Sequence, residues 1–356
     1  MQQRRVQRFS AHCVEARAAT WRQAFAMLPR MPSEFCPRRS CRSACLNAVQ
    51  LLLVVVAGLV MLVPPLEAQP ELRYKPVVGW GELPDGYVSG QGMAVAVDHQ
   101  GGVWFYNRGS HPLIQFSSDG SLIQSWKEDK TLSTHQAAAH GMAVGPDGGI
   151  WLVARDSHAV YKYSAAGRTL LMIGGFAASL GSNEAPYAFN LPAGVAHDSE
   201  GNVYIADGYG NARIVKYDAS GTYVKHWGGP GTADGQFDVV HGVVLDSRDR
   251  LYAVDRSNQR IQVFDTDGKQ LATWNGLGTP WNLAYDRRAD VLWMCDGDLG
   301  RISKLSLDGK VLGWFGSDGS EPGQLHQVHS IAVDRDGAIY AAETVNGRIQ
   351  KFVRGD

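Results

Sequence analysis

The sequence predicts an all-β fold, a six-bladed β-propeller of four-stranded blades, over residues 69–356. Short runs of alternating apolar and polar residues, such as AsnValTyrIleAlaAsp at 202–207 and ArgLeuTyrAlaValAsp at 250–255, are separated by Asp/Gly/Ser/Asn turns. That is the period-two pattern of half-buried strands. The pattern also repeats. Aligned on their first turn, the units begin at Met93, His140, Ala193, His241, Trp281 and His329, with spacings of 47, 53, 48, 40 and 48 residues. In every unit a second strand starts ten residues later, at Val103, Ile150, Val203, Leu251, Val291 and Ile339. A lone meander cannot bury both faces, so six units of this length must stack around an axis. The 41 glycines among 356 residues suit such a turn-rich chain.

Residues 1–68 differ in kind. Residues 1–47 carry nine Arg, no Lys, and only Glu15 and Glu34 as acids, ahead of the 13-residue apolar run Leu51–Val63. A basic flank, a short hydrophobic core and a small residue at Ala68 describe an export signal, since a membrane span needs about 20 apolar residues. Translation starting at Met31 would leave a leader of ordinary length. An exported protein, periplasmic or secreted, is therefore expected, membrane-tethered if the leader stays uncleaved.

The chain's net charge is −1 and residues 1–68 carry +6, which leaves −7 on the remainder. That excludes a nucleic-acid binder held by phosphate contacts. Cys13, Cys36, Cys41 and Cys45 leave with the leader. Cys295, in the apolar run ValLeuTrpMetCys, is read as a buried thiol, so no internal disulfide supports the fold. A monomer acting on a small-molecule or peptide substrate, with no stable membrane span, is the expectation.

The sixth unit ends after three strands, SerIleAlaValAsp, AlaIleTyrAlaAlaGlu and ArgIleGlnLysPheVal. ValValGlyTrpGly at 77–81 resembles the fourth-strand segments LysHisTrpGlyGly at 225–229 and GlyTrpPheGly at 313–316. An N-terminal strand is thus expected to complete the last blade and close the ring.

The first residue of each unit lies nearest the axis, and units two, four and six place His there: His140, His241 and His329. His is 11 of 356 residues, so three such coincidences in six positions arise by chance on the order of once in two thousand. Alternate blades sit about 120° apart. Three imidazoles then converge on the axis, as in a catalytic zinc site with an open fourth position. Any one of them alone would read as a packing residue. His99, His111, His135, His158, His197, His226 and His326 lack this registration and read as turn or surface residues.

The loops after the second strands open at the same end as the histidines. There, units one, two and four carry Arg108, Arg155 and Arg256, whose planar forks suit a bound carboxylate or phosphate. The other reading is solvated loop charge. Arg213, Arg260 and Arg348 recur in an Asp/Glu…Asn-x-Arg-Ile pattern and are read as structural ties. Unit three inserts one residue in that loop, giving GlyTyrGly. The insertion directs Tyr209 toward the axis, where a phenol can serve as a base or simply pack.

AspGlyTyr-x-Asn-x-ArgIleVal, then GlyGlnPhe…His-x-x-x-Leu, then AspArg-x-Asn-x-ArgIleGln resemble the catalytic domain of peptidyl-α-hydroxyglycine α-amidating lyase, a six-bladed propeller of NHL-type repeats. The resemblance spans about Val88–Val353. It implies an axial zinc on His140, His241 and His329, a catalytic Tyr209, and active-site Arg108 and Arg256, with Arg155 a further substrate-binding candidate. The implied reaction splits a peptidyl-α-hydroxyglycine into an amide and glyoxylate. The family's calcium uses carbonyls matching Val95 and Met142 and an Asp after the third histidine. Ser330 stands there, a weaker ligand for a hard cation, which argues against calcium. Gly210 replaces a cysteine of the animal members' disulfide. Leader and propeller leave no room for a hydroxylating copper domain, so the hydroxylated substrate is expected from elsewhere. Two rivals stay open: a non-catalytic propeller binding a peptide, glycan or protein partner, and a metal-dependent lactonase-like hydrolase, whose carboxylate ligands these axial positions lack.

Overall fold

The computed structural model describes residues 69–127, 138–175 and 181–355. The leader expected over residues 1–68, and His135, lie outside them. The 24 strands among the described residues form six four-stranded antiparallel sheets. All six second strands start at the predicted residues. The inner strands are Gly92–Val97, Ala139–Val144, Gly194–His197, Val240–Leu245, Pro280–Asp286 and Val328–Val333. Each touches the next in order, and the last touches the first, which closes the ring.

A recurrent turn joins the first two strands of a blade. Asp98 Oδ1 accepts from the backbone N–H groups of Gln100 and Gly102, while its Oδ2 accepts from Trp104 Nε1 at 2.9 Å. Asp198, Asp246 and Asp334 repeat this on Tyr204, Tyr252 and Tyr340, at 2.8, 3.0 and 2.9 Å. Each carboxylate thus fixes both the turn and an aromatic ring of the second strand. Those rings build the core, which consists of six clusters, one between each pair of neighbouring blades. Trp104, Trp151, Tyr204, Tyr252, Trp293 and Tyr340 are all buried in them. Apolar burial stabilises by about 25 cal/mol per Å², so these large rings are the main contributors.

The ring closes as expected but with a shifted strand. Tyr74–Pro76 pairs antiparallel with Arg348–Arg354, Tyr74 opposite Arg354 and Pro76 opposite Phe352. Of residues 77–81, expected to be that strand, Val77 still donates to the Lys351 carbonyl, but 78–81 form a turn in which Gly79 and Gly81 take φ of +79° and +73°. Left-handed residues cannot continue a ladder. Trp80 drops instead into the core between blades six and one, against Phe116 and Tyr340.

The structural arginines anchor the incoming inter-blade connectors. Arg213 is paired with Asp207 at 2.9 Å, both buried, and its other nitrogens donate to the carbonyls of Asn183 and Ala188. Arg260 with Asp255 and Arg348 with Glu343 do the same for residues 232–236 and 320–324. Cys295 is buried and free, as expected. No helix among the described residues is long and apolar enough to cross a membrane.

Candidate metal centre

His140, His241 and His329 meet on the axis, with one ring nitrogen from each lying within 4.8 Å of the others. All three rings are buried, packed edge to face with centroids 4.7–5.0 Å apart. Each Nδ1 donates to a main-chain carbonyl: His140 to Ala193 at 2.7 Å, His241 to Trp281 at 2.6 Å, His329 to Met93 at 2.6 Å. Those acceptors occupy the equivalent position one blade further round. Even-numbered blades supply imidazoles, and odd-numbered blades supply the carbonyls that aim them.

With every Nδ1–H engaged, every Nε2 is a lone pair. The Tyr209 hydroxyl lies 3.2 Å from His140 Nε2 and 3.0 Å from His241 Nε2, and Arg256 Nη1 donates to it at 3.0 Å. The phenol has one proton, so it satisfies one of these lone pairs. Three converging imidazole lone pairs sharing one proton form a donor set that suits a divalent cation favouring nitrogen ligands. Burial holds His140 well below the usual imidazole range, helped by the other two rings, and does the same to His241. It lowers His329 to about 3. Neutral imidazole is the form a metal requires.

Glycines make this geometry accessible. A Cβ on Gly141 would come 2.4 Å from the Ala193 carbonyl that His140 uses. One on Gly208 would come 1.9 Å from the Val240 carbonyl, next to His241. Gly210 is packed equally tightly against Asn190. Backbone bonds from Tyr209 to Leu191 and from Gly210 to Asn190 then fix the inserted loop.

Two guanidiniums lie over the Tyr209 ring, Arg155 at 5.2 Å and Arg256 at 5.1 Å from its centre. Arg155 is also held by Asp156 at 2.9 and 3.0 Å. Arg108 donates through Nε to the Ala139 carbonyl and through Nη1 to Gln91, but its buried Nη2 has no partner. Burial, then the charge of Arg155, lowers its pKa. All seven residues singled out in the sequence, the three histidines, Tyr209, Arg108, Arg155 and Arg256, are therefore brought together at the axis.

Below the histidines a cavity of about 220 Å³ follows the axis, lined by Val95, Met142, Val243, Leu283, Ser330 and His197 among others. Its lining holds no carboxylate, and Ser330 Oγ already accepts from Val95 N–H at 3.3 Å. A donor set of this kind does not fit calcium. Two expectations about the remaining histidines need correcting. His197, expected in a turn or at the surface, ends the inner strand Gly194–His197 with its Nε2 buried, because its ring lies against Trp151, 5.1 Å away. His111 is buried and stacked on Tyr87 at 3.7 Å, because the loop over residues 87–90 folds back across it. The residue that sequence reasoning passed over is Trp281, at the axial position of blade five. Its indole stands 6.2 Å from the His241 ring and 6.0 Å from that of His329. The repeat register itself was the signal.

A model of the NHL repeat matches residues 189–217 and 237–264. Human NHL repeat-containing protein 3 is 31% identical over 297 residues, which cover 80% of this chain and 85% of that protein. Peptidyl-alpha-hydroxyglycine alpha-amidating lyase 1 of Drosophila melanogaster is 30% identical over 192 residues, covering 46% of this chain and 35% of that one. Among solved structures, a streptogramin B lyase superposes with a TM-score of 0.57 at 15% identity, covering 81% of this chain and all of that one, a likeness of fold. The chain belongs to the NHL-repeat β-propeller family of NHL repeat-containing protein 3, and is homologous to the peptidyl-α-hydroxyglycine α-amidating lyases.

Proposed function

We propose that this protein is a zinc-dependent lyase that cleaves the C–N bond of a peptidyl-α-hydroxyglycine or a similar carbinolamide, releasing an amide and glyoxylate. The observation that carries this reading is the set of three converging imidazole lone pairs with one phenol against two of them, beside an arginine with an unpartnered N–H. Homology to the amidating lyases supports it. When bound, zinc would supply a Lewis acid for the carbinol hydroxyl.

The protein's own groups do the rest. Arg108 Nη2, together with Arg256, holds the carboxylate that departs as part of glyoxylate. Tyr209, as phenolate, takes the hydroxyl proton; the C–O bond becomes a carbonyl as the C–N bond breaks and its electron pair leaves on nitrogen. Tyr209 then returns the proton to that nitrogen, completing the amide. The guanidiniums of Arg155 and Arg256, 5.2 and 5.1 Å from its ring centre, complement the negative charge of the phenolate in that step.

The test is glyoxylate release from an N-acyl-α-hydroxyglycine by the zinc-loaded protein. Release that stops on chelation and in His241→Ala supports the proposal. Stoichiometric zinc with no glyoxylate from any carbinolamide tried would overturn it.

A further inference from the structure

We propose that Trp281 is the wall against which the acyl side of the substrate lies, selecting carbinolamides whose group beyond the nitrogen is aromatic or apolar. This rests on the lyase reading above. The residue directly after each second strand lies at the metal end of its blade. In order these are Arg108, Arg155, Gly208, Arg256, Gly297 and Thr344. Positive charge therefore sits on blades one, two and four; the positions on blades three, five and six carry none, and exposed Asp298 follows on blade five.

Blade five shows how that gap is used. A Cβ on Gly297 would come 2.3 Å from the Trp281 indole, so the missing side chain is what lets the indole lie there. The ring packs on the core cluster that holds Trp293, Cys295 and Val328, yet remains partly exposed. The Arg256 guanidinium lies over it at 5.3 Å and over Tyr209 at 5.1 Å, so one arginine is held between the two rings. The indole is thus a fixed surface beside the imidazoles.

Substrate chemistry decides what meets it. The carbinol carbon of an N-acyl-α-hydroxyglycine bears a hydroxyl, a carboxylate and the amide nitrogen. With the hydroxyl at the histidines and the carboxylate at the arginines, the nitrogen and its acyl group leave toward blade five. A flat apolar group there gains contact with the indole.

The experiment compares N-benzoyl- with N-acetyl-α-hydroxyglycine on zinc-loaded wild type, Trp281→Ala and Trp281→Phe, each checked for equal zinc content. Wild type should favour the benzoyl substrate in kcat/KM by roughly tenfold, as expected for one aromatic contact. Trp281→Ala should erase that ratio through KM, and Trp281→Phe should keep most of it. Binding of the unreactive N-benzoylglycine should weaken in Trp281→Ala relative to N-acetylglycine. An unchanged ratio in Trp281→Ala, or equal losses for both substrates, would overturn the assignment. If no carbinolamide is turned over, the lyase reading has failed, and the binding comparison alone still judges the wall: equal weakening of both glycines rejects it.

Discussion

His329 Nδ1 donates to the carbonyl of Met93 at 2.6 Å, across 236 positions of sequence. The third imidazole is therefore aimed by the first blade, at the seam where the two ends of the propeller meet. A metal on these histidines would link blades two, four and six and hold that seam shut. Zinc at about 100 times its Kd should stabilise by about 2.7 kcal/mol, raising Tm by roughly 4–5 °C for a domain of this size. Chelation should reverse the rise, and His329→Ala should not show it. A wild-type Tm indifferent to zinc would remove the metal from this site.

Arg213→Ala tests the fold apart from the chemistry. The guanidinium and Asp207 are 1% and 0% exposed, and the same side chain holds two carbonyls of the connector into blade three. Its loss leaves a buried carboxylate unpaired, which costs about 3–5 kcal/mol. Urea unfolding should show that loss in the midpoint. A change under 1 kcal/mol would mean that the connector is held by other contacts.

Gly208→Ala tests the seating of Tyr209. The added methyl would meet the Val240 carbonyl at 1.9 Å, and backbone cannot yield as a flexible side chain can. The loop must shift, moving the phenol off the imidazoles while leaving all three histidines in place. Glyoxylate release should fall on the order of 100-fold, the scale for a misplaced catalytic group. Zinc content should stay at the wild-type value. Full activity in this variant would exclude Tyr209 as the base.

The parts of this architecture legible in the sequence are those with a local signature. In four blades the second strand is fixed by a turn Asp and the aromatic ring it binds six residues on, as with Asp198 and Tyr204. The histidines are visible because one residue type recurs at alternate repeats. The carbonyls of Ala193, Trp281 and Met93 left no trace, since any residue offers a carbonyl and the pairing runs between blades. The closing strand was misplaced because ValValGlyTrpGly looks like a fourth strand in composition, while its two positive-φ glycines decide otherwise. Arg155 reads alike as a substrate anchor or a solvated charge; only the fold shows it engaged by Asp156 and lying over Tyr209.

His197 gives the acid response a sign and a separate handle. Its Nε2 is buried without a partner, its ring sits 5.1 Å from Trp151, and burial lowers its pKa to about 4. The unfolded chain binds a proton below pH 6.5 that the folded ring refuses until about 4. Stability is therefore undiminished above the unfolded value and declines as pH falls between the two. The slope is up to about 1.4 kcal/mol per pH unit, or up to about 2 kcal/mol between pH 7 and pH 5. The three axial histidines carry the same sign, so the chelated protein should weaken steeply in acid. Phe cannot take up a proton, so His197→Phe should remove this share while the axial share persists. Urea midpoints of the chelated variant and wild type at both pH values measure the difference. Equal losses on acidification would show that the His197 ring finds water or a partner in the folded state and does not oppose protonation.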